Sequence, residues 1–288
     1  MEIKMDIAPH RPAIRYYGGK WKLASWIISH FPDHENYIEP CGGAASVLLQ
    51  KPRSPLEVYN DLDGNVVNFF QVLRSNTDEL IRQIRLTPWS RKEHEIARHP
   101  HVDPIESARR FFVSSWMTIS SIPHDPTSGW RSNSFFGQCY NLAVHNYFEL
   151  IDSDHLWRVA NRFRKIQIEN KPAYYVIHRY DNPKALIYFD PPYPLSTRTG
   201  QHYLVETDDQ FHVDRATQLR QAKSYVVISG YACPLYKELY EDHGWYRVDK
   251  EAQTNSGGKR TESLWLSPRT WEAIKKPQQI SMFDSGEL

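Results

Sequence analysis

Apolar positions recur along this chain in two rhythms, one helical and one of short buried runs. Leu23, Trp26, Ile27 and His30 fall at helical spacing within Lys20 to Phe31 and predict a helix. Tyr37 to Glu39 predicts a strand running into the tight turn Pro40-Cys41-Gly42-Gly43, and Ala44 to Gln50 predicts a short helix directly after the two glycines. Leu56 to Tyr59 predicts the next strand, which ends in Asn60-Asp61-Leu62-Asp63; Val66, Phe69, Phe70 and Leu73 then mark one face of an amphipathic helix. From about Ser75 to Asn182 the pattern changes to mixed helix and irregular structure. A turn-rich stretch there, Ile122 to Gly137, holds Pro123, Pro126, Gly129 and Gly137. The first rhythm returns with a strand at Ala185 to Phe189, a helix around Phe211 to Ala222 and a strand at Tyr225 to Ser229. A helix near Leu235 to Asp242 and strands at Trp245 to Val248 and Ser263 to Leu266 complete it, the last two as an antiparallel pair around a glycine-bearing loop.

Strands alternating with helices predict an α/β fold with a mostly parallel sheet covered on both faces, and ligands at the carboxyl ends of its strands. The expected domains are a Rossmann-like core from residues 1–74 and 183–274, a mainly helical insert over 75–182, and a polar tail over 275–288.

Composition narrows the classes without choosing among them. A chain of 288 residues with 40% hydrophobic content can bury a large core, and nine Trp and seventeen Tyr suit packing and stacking surfaces alike. Net charge is only +1, so any charge that meets nucleic acid must be local. Cys41, Cys139 and Cys233 are few, odd in number and widely spaced, which argues against a disulfide framework or clustered zinc site and fits a reducing cytoplasm. The first thirty residues contain no charged stretch followed by an apolar core, so no secretory leader is expected, and no apolar run approaches the roughly 20 residues needed to cross a bilayer. A cytoplasmic, monomeric protein without membrane or metal partners is expected.

Three predicted strand ends carry unusual chemistry: Glu39 to Gly43, Asp61, and Asp190-Pro191-Pro192-Tyr193. In a doubly wound sheet they converge. A glycine turn permits close backbone approach, and an acid after the following strand can accept from both hydroxyls of a ribose, so the first two describe a nucleoside-type cofactor pocket. The diproline fixes chain direction and removes two backbone donors while leaving carbonyl acceptors. A carboxylate and a rigid carbonyl can both accept from an exocyclic NH2, and Tyr193 offers a stacking face for a base.

These motifs resemble, in order over nearly the whole chain, the Dam-like, D12-class adenine-specific DNA methyltransferases of the alpha group. Tyr16-Tyr17-Gly18-Gly19-Lys20 looks like that family's aromatic-x-Gly-Gly-Lys motif, Glu39 to Ser46 is similar to its Glu-Pro-Phe-x-Gly motif, and Asp190 to Tyr193 matches its catalytic motif. The resemblance implies a Rossmann-like S-adenosylmethionine-dependent methyltransferase fold carrying a target-recognition insert. It implies catalytic Asp190, Pro191, Pro192 and Tyr193. It also implies that Tyr16, Tyr17, Lys20, Glu39, Pro40, Cys41, Gly43, Ala44, Ser46, Asp61, Leu62 and Asp190 hold the cofactor, and that the substrate is a flipped adenine in double-stranded DNA. Trp130 to Gly137 resembles the recognition hairpin, giving Arg131, Asn133 and Gly137 as DNA contacts, with Ser256 and Lys259 from the loop Asn255 to Glu262. An ordinary surface loop is the alternative for that hairpin. Arg109-Arg110 and Arg162 to Lys165 are further candidates for phosphate contact, against a plain helix-surface reading.

Departures from the family pattern are Cys41 where it has Phe and Ala45 where it has a later Gly. Cys41 as a cytosine-C5 nucleophile, Pro40-Cys41 as a zinc-deaminase fragment, Ser256-x-x-Lys259 as a serine–lysine pair, and His30 with His34 as metal ligands all lack companion motifs. Methylation of cytosine N4, methylation of a protein glutamine amide, and a noncatalytic DNA-binding regulator remain as rivals. Gln279 to Phe283 is similar to the peptide by which bacterial proteins dock on the replication sliding clamp, implying a weak clamp contact; a tail packed on the core is the alternative.

Overall fold

The computed structural model describes residues 8–120, 122–123, 127–132, 141–198, 203–253 and 259–275, without the side chains of 141–143, 252–253 and 259. In chain order the elements are α1 (Ala24–Ile28), β1 (Asn36–Glu39), β2 (Leu56–Asn60), α2 (Gly64–Ser75), α3 (Thr77–Arg85), α4 (Arg91–Ala97), α5 (Pro104–Met117), α6 (Asn141–Asp152) and α7 (His155–Phe163). There follow β3 (Ile166–Glu169), α8 (Ala173–Tyr180), β4 (Ala185–Phe189), α9 (Asp209–Arg220), β5 (Tyr225–Gly230), α10 (Pro234–Leu239), β6 (Tyr246–Gln253), β7 (Lys259–Leu266) and α11 (Pro268–Lys275).

One seven-stranded sheet runs β3-β2-β1-β4-β5-β7-β6. All its pairings are parallel except those of β7, which is antiparallel to both β5 and β6. Period-2 alternation along the strands separates two cores. Tyr37, Tyr59, Leu186 and Tyr188 face one apolar cluster, while Ile38, Val58, Ile187 and Phe189 face the other with Val176, Leu219 and Tyr236 of α8, α9 and α10. Burial on both faces explains why β4 reads as an unbroken apolar run.

The insert is not a body apart. Leu80 of α3, Phe111 and Phe112 of α5, Tyr147 of α6 and Leu156 of α7 join the same cluster as α2 and one face of the sheet. β3 and α8 lie within the stretch 75–182 assigned to the insert, yet β3 pairs with β2 from Glu57↔Ile166 to Asn60↔Glu169. Its Ile-Gln-Ile-Glu is too short an alternation to stand out beside helical neighbours. A buried ion cluster reinforces the join: Arg162 of α7 pairs with Glu57 of β2, whose Oε1 also takes Lys51 Nζ at 2.8 Å.

The expected helix over Ala44 to Gln50 is a run of turns. Gly43 and Ala45 both have positive φ, 46° and 55°, and the hydrogen bonds alternate between three- and four-residue spans, Ala45 N to Gly42 O and Leu49 N to Ala45 O among them. His30 and His34 follow α1 rather than sharing a helix, and each ring Nδ1 lies on a backbone carbonyl, of Trp26 and Pro32. No helix among the described residues is long and apolar enough to cross a membrane.

Candidate active site

From β1 the chain proceeds outward to β2 and β3, then returns to place β4 against the other side of β1. This reversal is the topological switch point where α/β sheets open a crevice at their carboxyl ends. A cleft of about 980 Å³, including its open mouth, lies there. All twelve residues expected to hold the cofactor line it: Tyr16, Tyr17, Lys20, Glu39, Pro40, Cys41, Gly43, Ala44, Ser46, Asp61, Leu62 and Asp190. Pro192 lines it as well, whereas Pro191 and Tyr193 are buried behind.

Local geometry follows from the turns. Gly43 donates its N–H to Asp61 Oδ2 at 2.8 Å, and Asp61 Oδ1 takes the Asp63 N–H at 2.8 Å, so the loop after β2 is tied to the loop after β1. The positive φ of Gly43 is what aims that N–H at the carboxylate. Tyr59 braces the same turn, donating its hydroxyl to the Gly43 carbonyl at 2.7 Å. With backbone N–H donors from Gly43, Leu62 and Asp63, the Asp61 carboxylate still has acceptor capacity for a ligand. The Ser46 hydroxyl, buried in the lining, has no partner among the described residues.

At the end of β4, Asp190 pairs with Lys20 Nζ at 3.1 Å, at an angle that leaves its Oδ1 without a well-aligned hydrogen bond. The ammonium also donates to the Gly18 carbonyl at 2.8 Å and sits 4.8 Å from the centre of the Tyr193 ring. Burial raises the Asp190 carboxyl above its ordinary value, opposed by Lys20. Burial pulls Lys20 down, but Asp190 and Glu262 more than offset it and the net shift is upward. Burial lifts Glu39 to about 8 and Asp61 to about 6. Glu39 therefore keeps its proton at neutral pH. Burial, then Asp61, Asp190 and Glu39, push the Cys41 thiol well up and leave it a neutral packing group.

Several participants have no individual role in the sequence expectation, although Tyr231 and Glu262 end two stretches, Val226 to Tyr231 and Asn255 to Glu262, that resemble the family's later strand and target-base loop. Glu262 of β7 accepts the Tyr193 hydroxyl at 3.1 Å, and Tyr231 meets the Tyr193 ring edge-on at 4.7 Å. Glu262 ends the motif Asn255 to Glu262, which is its one sequence signal. The segment Tyr203 to Thr207 forms a wall of the cleft, and Ala173 and Phe211 supply apolar lining. Leucine and valine in that segment carry no pattern that points to a site.

Of the expected DNA contacts, Arg131 is described and half-buried. It donates to the Ile119 carbonyl at 3.0 Å and lies next to an isolated antiparallel bridge, Thr118↔Trp130. Asn133, Gly137, Ser256, the side chain of Lys259 and the tail peptide Gln279 to Phe283 lie outside the described residues. Three of the phosphate candidates are corrected. Arg109 is spent on Glu106 and Glu93, Arg110 on Glu106, and Arg162 is buried against Glu57; Arg164 and Lys165 stay exposed.

Comparison with known proteins agrees with this geometry. Residues 16–254 match the family described as D12 class N6 adenine-specific DNA methyltransferase. The chain is 23% identical over 285 residues to the type II methyltransferase M1.LlaDCHI of Lactococcus lactis subsp. cremoris, covering 88% of this chain and 94% of that protein. It is 20% identical over 272 residues to the retron Ec67 DNA adenine methylase of Escherichia coli, covering 90% and 92%. A shorter stretch of 79 residues is 34% identical to the DNA adenine methylase of Haemophilus influenzae, covering 26% and 27%. With a switch-point cleft, an Asp-Pro-Pro-Tyr turn beside it and a match over most of its length, the chain belongs to the D12 class of N6 adenine-specific DNA methyltransferases.

Proposed function

We propose that this methyltransferase takes S-adenosylmethionine as its methyl donor and modifies an adenine extruded from double-stranded DNA. The observation that carries the reading is the buried Lys20–Asp190 pair at the carboxyl end of β4, beside a cleft whose lining suits a nucleoside bearing an amino acid. Asp61 has acceptor capacity for ribose hydroxyls, the unpartnered Ser46 hydroxyl and the third N–H of Lys20 suit polar groups, and Leu62, Ala173 and Phe211 suit the face of a base. When bound, S-adenosylmethionine supplies an electrophilic methyl group on a sulfonium.

The protein's share of the chemistry is positioning. Adenine N6 is a poor nucleophile because its lone pair is delocalised into the ring. Asp190 and the Pro191 carbonyl accept its two hydrogens, favouring a tetrahedral amine with its lone pair exposed, an effect realised mainly in the transition state. Tyr193 stacks on the extruded base, held by Glu262 through its hydroxyl and by Tyr231 through a T-shaped ring contact. Helices α3 to α7 and the stretch around Trp130 to Gly137 serve target recognition, with Arg131, Asn133 and Gly137, and Ser256 and Lys259 from the β6–β7 loop, at the DNA. The enzyme works as a monomer in a reducing compartment, its tail making at most weak contact with a sliding clamp.

The test is transfer of tritiated methyl from S-adenosylmethionine to duplex DNA, followed by nucleoside analysis. N6-methyladenine is the expected product, and Asp190→Ala is expected to abolish transfer while keeping DNA affinity. Label in cytosine, or full turnover by Asp190→Ala, would overturn the reading.

A further inference from the structure

Behind the Asp190–Tyr193 turn lies a buried guanidinium that the mechanism has not used. The Arg198 side chain is 3% exposed and holds three groups at once. Its Nε donates to the Tyr193 carbonyl at 2.8 Å, its two terminal nitrogens fork onto the Glu206 carboxylate, and its Cζ lies over the Tyr203 ring, 5.4 Å from the centroid. Glu206 in turn accepts the Tyr203 N–H at 2.9 Å, and Thr207 donates its hydroxyl to the Pro192 carbonyl at 3.1 Å. Tyr203 stands in the cleft wall with its hydroxyl against Gly18 and its ring edge-on to Tyr17 at 5.4 Å.

We propose that Arg198 is a positioning residue: it fixes which carbonyl of the Asp-Pro-Pro-Tyr turn faces the target amine and docks the Tyr203 wall of the cofactor cleft onto the same turn. The proposal rests on the methyl-transfer reading above. A diproline turn presents three successive carbonyls, from Pro191, Pro192 and Tyr193. Two of them are occupied, by Thr207 of the cleft wall and by Arg198, while no described residue donates to Pro191. Occupying the other two leaves one acceptor for N6 beside Asp190 and prevents the turn from rotating a wrong one inward. Because the guanidinium also holds Glu206 and Tyr203, the cofactor wall and the amine acceptors form one rigid unit. Lysine cannot reproduce this, since a single ammonium cannot fork onto a carboxylate and also donate a third bond in a fixed plane.

The experiment compares wild type, Arg198→Lys, Thr207→Val and the double variant on a duplex substrate, reading kcat, KM for DNA, affinity for S-adenosylhomocysteine and melting temperature. Arg198→Lys should lower kcat about 10- to 100-fold, as misplacement on the ångström scale does, with KM for DNA within about threefold. Thr207→Val should lower kcat by less at unchanged melting temperature, and the double variant should lose less than the product of the two, because both act on one turn. Arg198→Ala should regain activity on addition of millimolar guanidinium. Wild-type kcat in Arg198→Lys with only a lowered melting temperature, or strictly multiplicative losses, would overturn the proposal. If Arg198→Lys does not fold, an unchanged kcat in Thr207→Val overturns it. Failure of the underlying reading is recognised separately, since wild type itself would then leave adenine unmodified.

Discussion

Glu39 is 2% exposed at the end of β1 and, with burial lifting it to about 8, it is protonated at neutral pH. A cationic ligand favours its ionised form, so binding below that value must release a proton. Affinity for S-adenosylmethionine should therefore rise between about pH 6.5 and 8.5 and then level off, with Asp61 adding a smaller step near its own value of about 6. Calorimetry in buffers of different ionisation enthalpy counts the protons, and Glu39→Gln should flatten the profile; binding without proton release contradicts the assignment. Cys41, with its thiol held neutral, should react slowly with iodoacetamide, and Cys41→Ser should retain most activity. Ala45 occupies φ 55°, a region that costs an L-residue about 1–2 kcal/mol. Ala45→Gly relieves that strain while losing a buried methyl, and should be near neutral in urea unfolding. Ala45→Val, β-branched at positive φ in a packed site, should cost about 3 kcal/mol. The substitution of Ala for the family's Gly was visible in the sequence, but its backbone conformation was not, because Asp61 and Tyr59 hold the neighbouring Gly43 from 18 and 16 residues away.

Strands β1, β2, β4 and β5 were legible to within a residue because each is a run of apolar side chains stopped by Gly, Pro, Asp or Asn. The chemistry after them was legible for the same reason: those stops are the site. What escaped is what depends on distant partners. β3 is defined by pairing with β2, Glu262 by the Tyr193 hydroxyl 69 residues away, and Arg198 by carbonyl and carboxylate groups that carry no motif. The helix expected after Gly43 failed because two left-handed residues, Gly43 and Ala45, reset the chain direction before an α-turn could close. At this scale the testable joint is between α7 and β2. Arg162→Ala leaves Glu57 buried with only Lys51 as counter-charge and should cost about 3–5 kcal/mol in urea unfolding. Replacing Arg162 and Glu57 together by Met and Leu should cost far less, since the penalty lies in the stranded charge; equal losses would show that the pair itself is what stabilises.

For the molecule as a whole, two sets of buried groups oppose each other in pH. Burial depresses His155 to about 3 and His212 to about 4. Below about pH 6.5 the unfolded chain takes up protons that these imidazoles refuse, so stability falls by up to about 1.4 kcal/mol per pH unit for each until their folded values are reached. Glu39 works the other way. Its folded value lies above that of the unfolded chain, so its contribution is present below about pH 4.5 and is lost as pH rises to about 8. The ligand-free melting temperature should peak near pH 6, and S-adenosylmethionine should flatten the alkaline side; a ligand-free maximum above pH 8 contradicts this balance. The shared core of sheet and insert has a last consequence, for how such enzymes come to read new sequences. A cassette cut at residues 75 and 182 would carry away β3, α8 and Arg162, strip an edge from the sheet and strand Glu57. On the proposed reading that the segment around Trp130 to Gly137 meets the target, a new target should be acquired by substitution within that segment, with the helices around it kept in place because they share the core of the sheet.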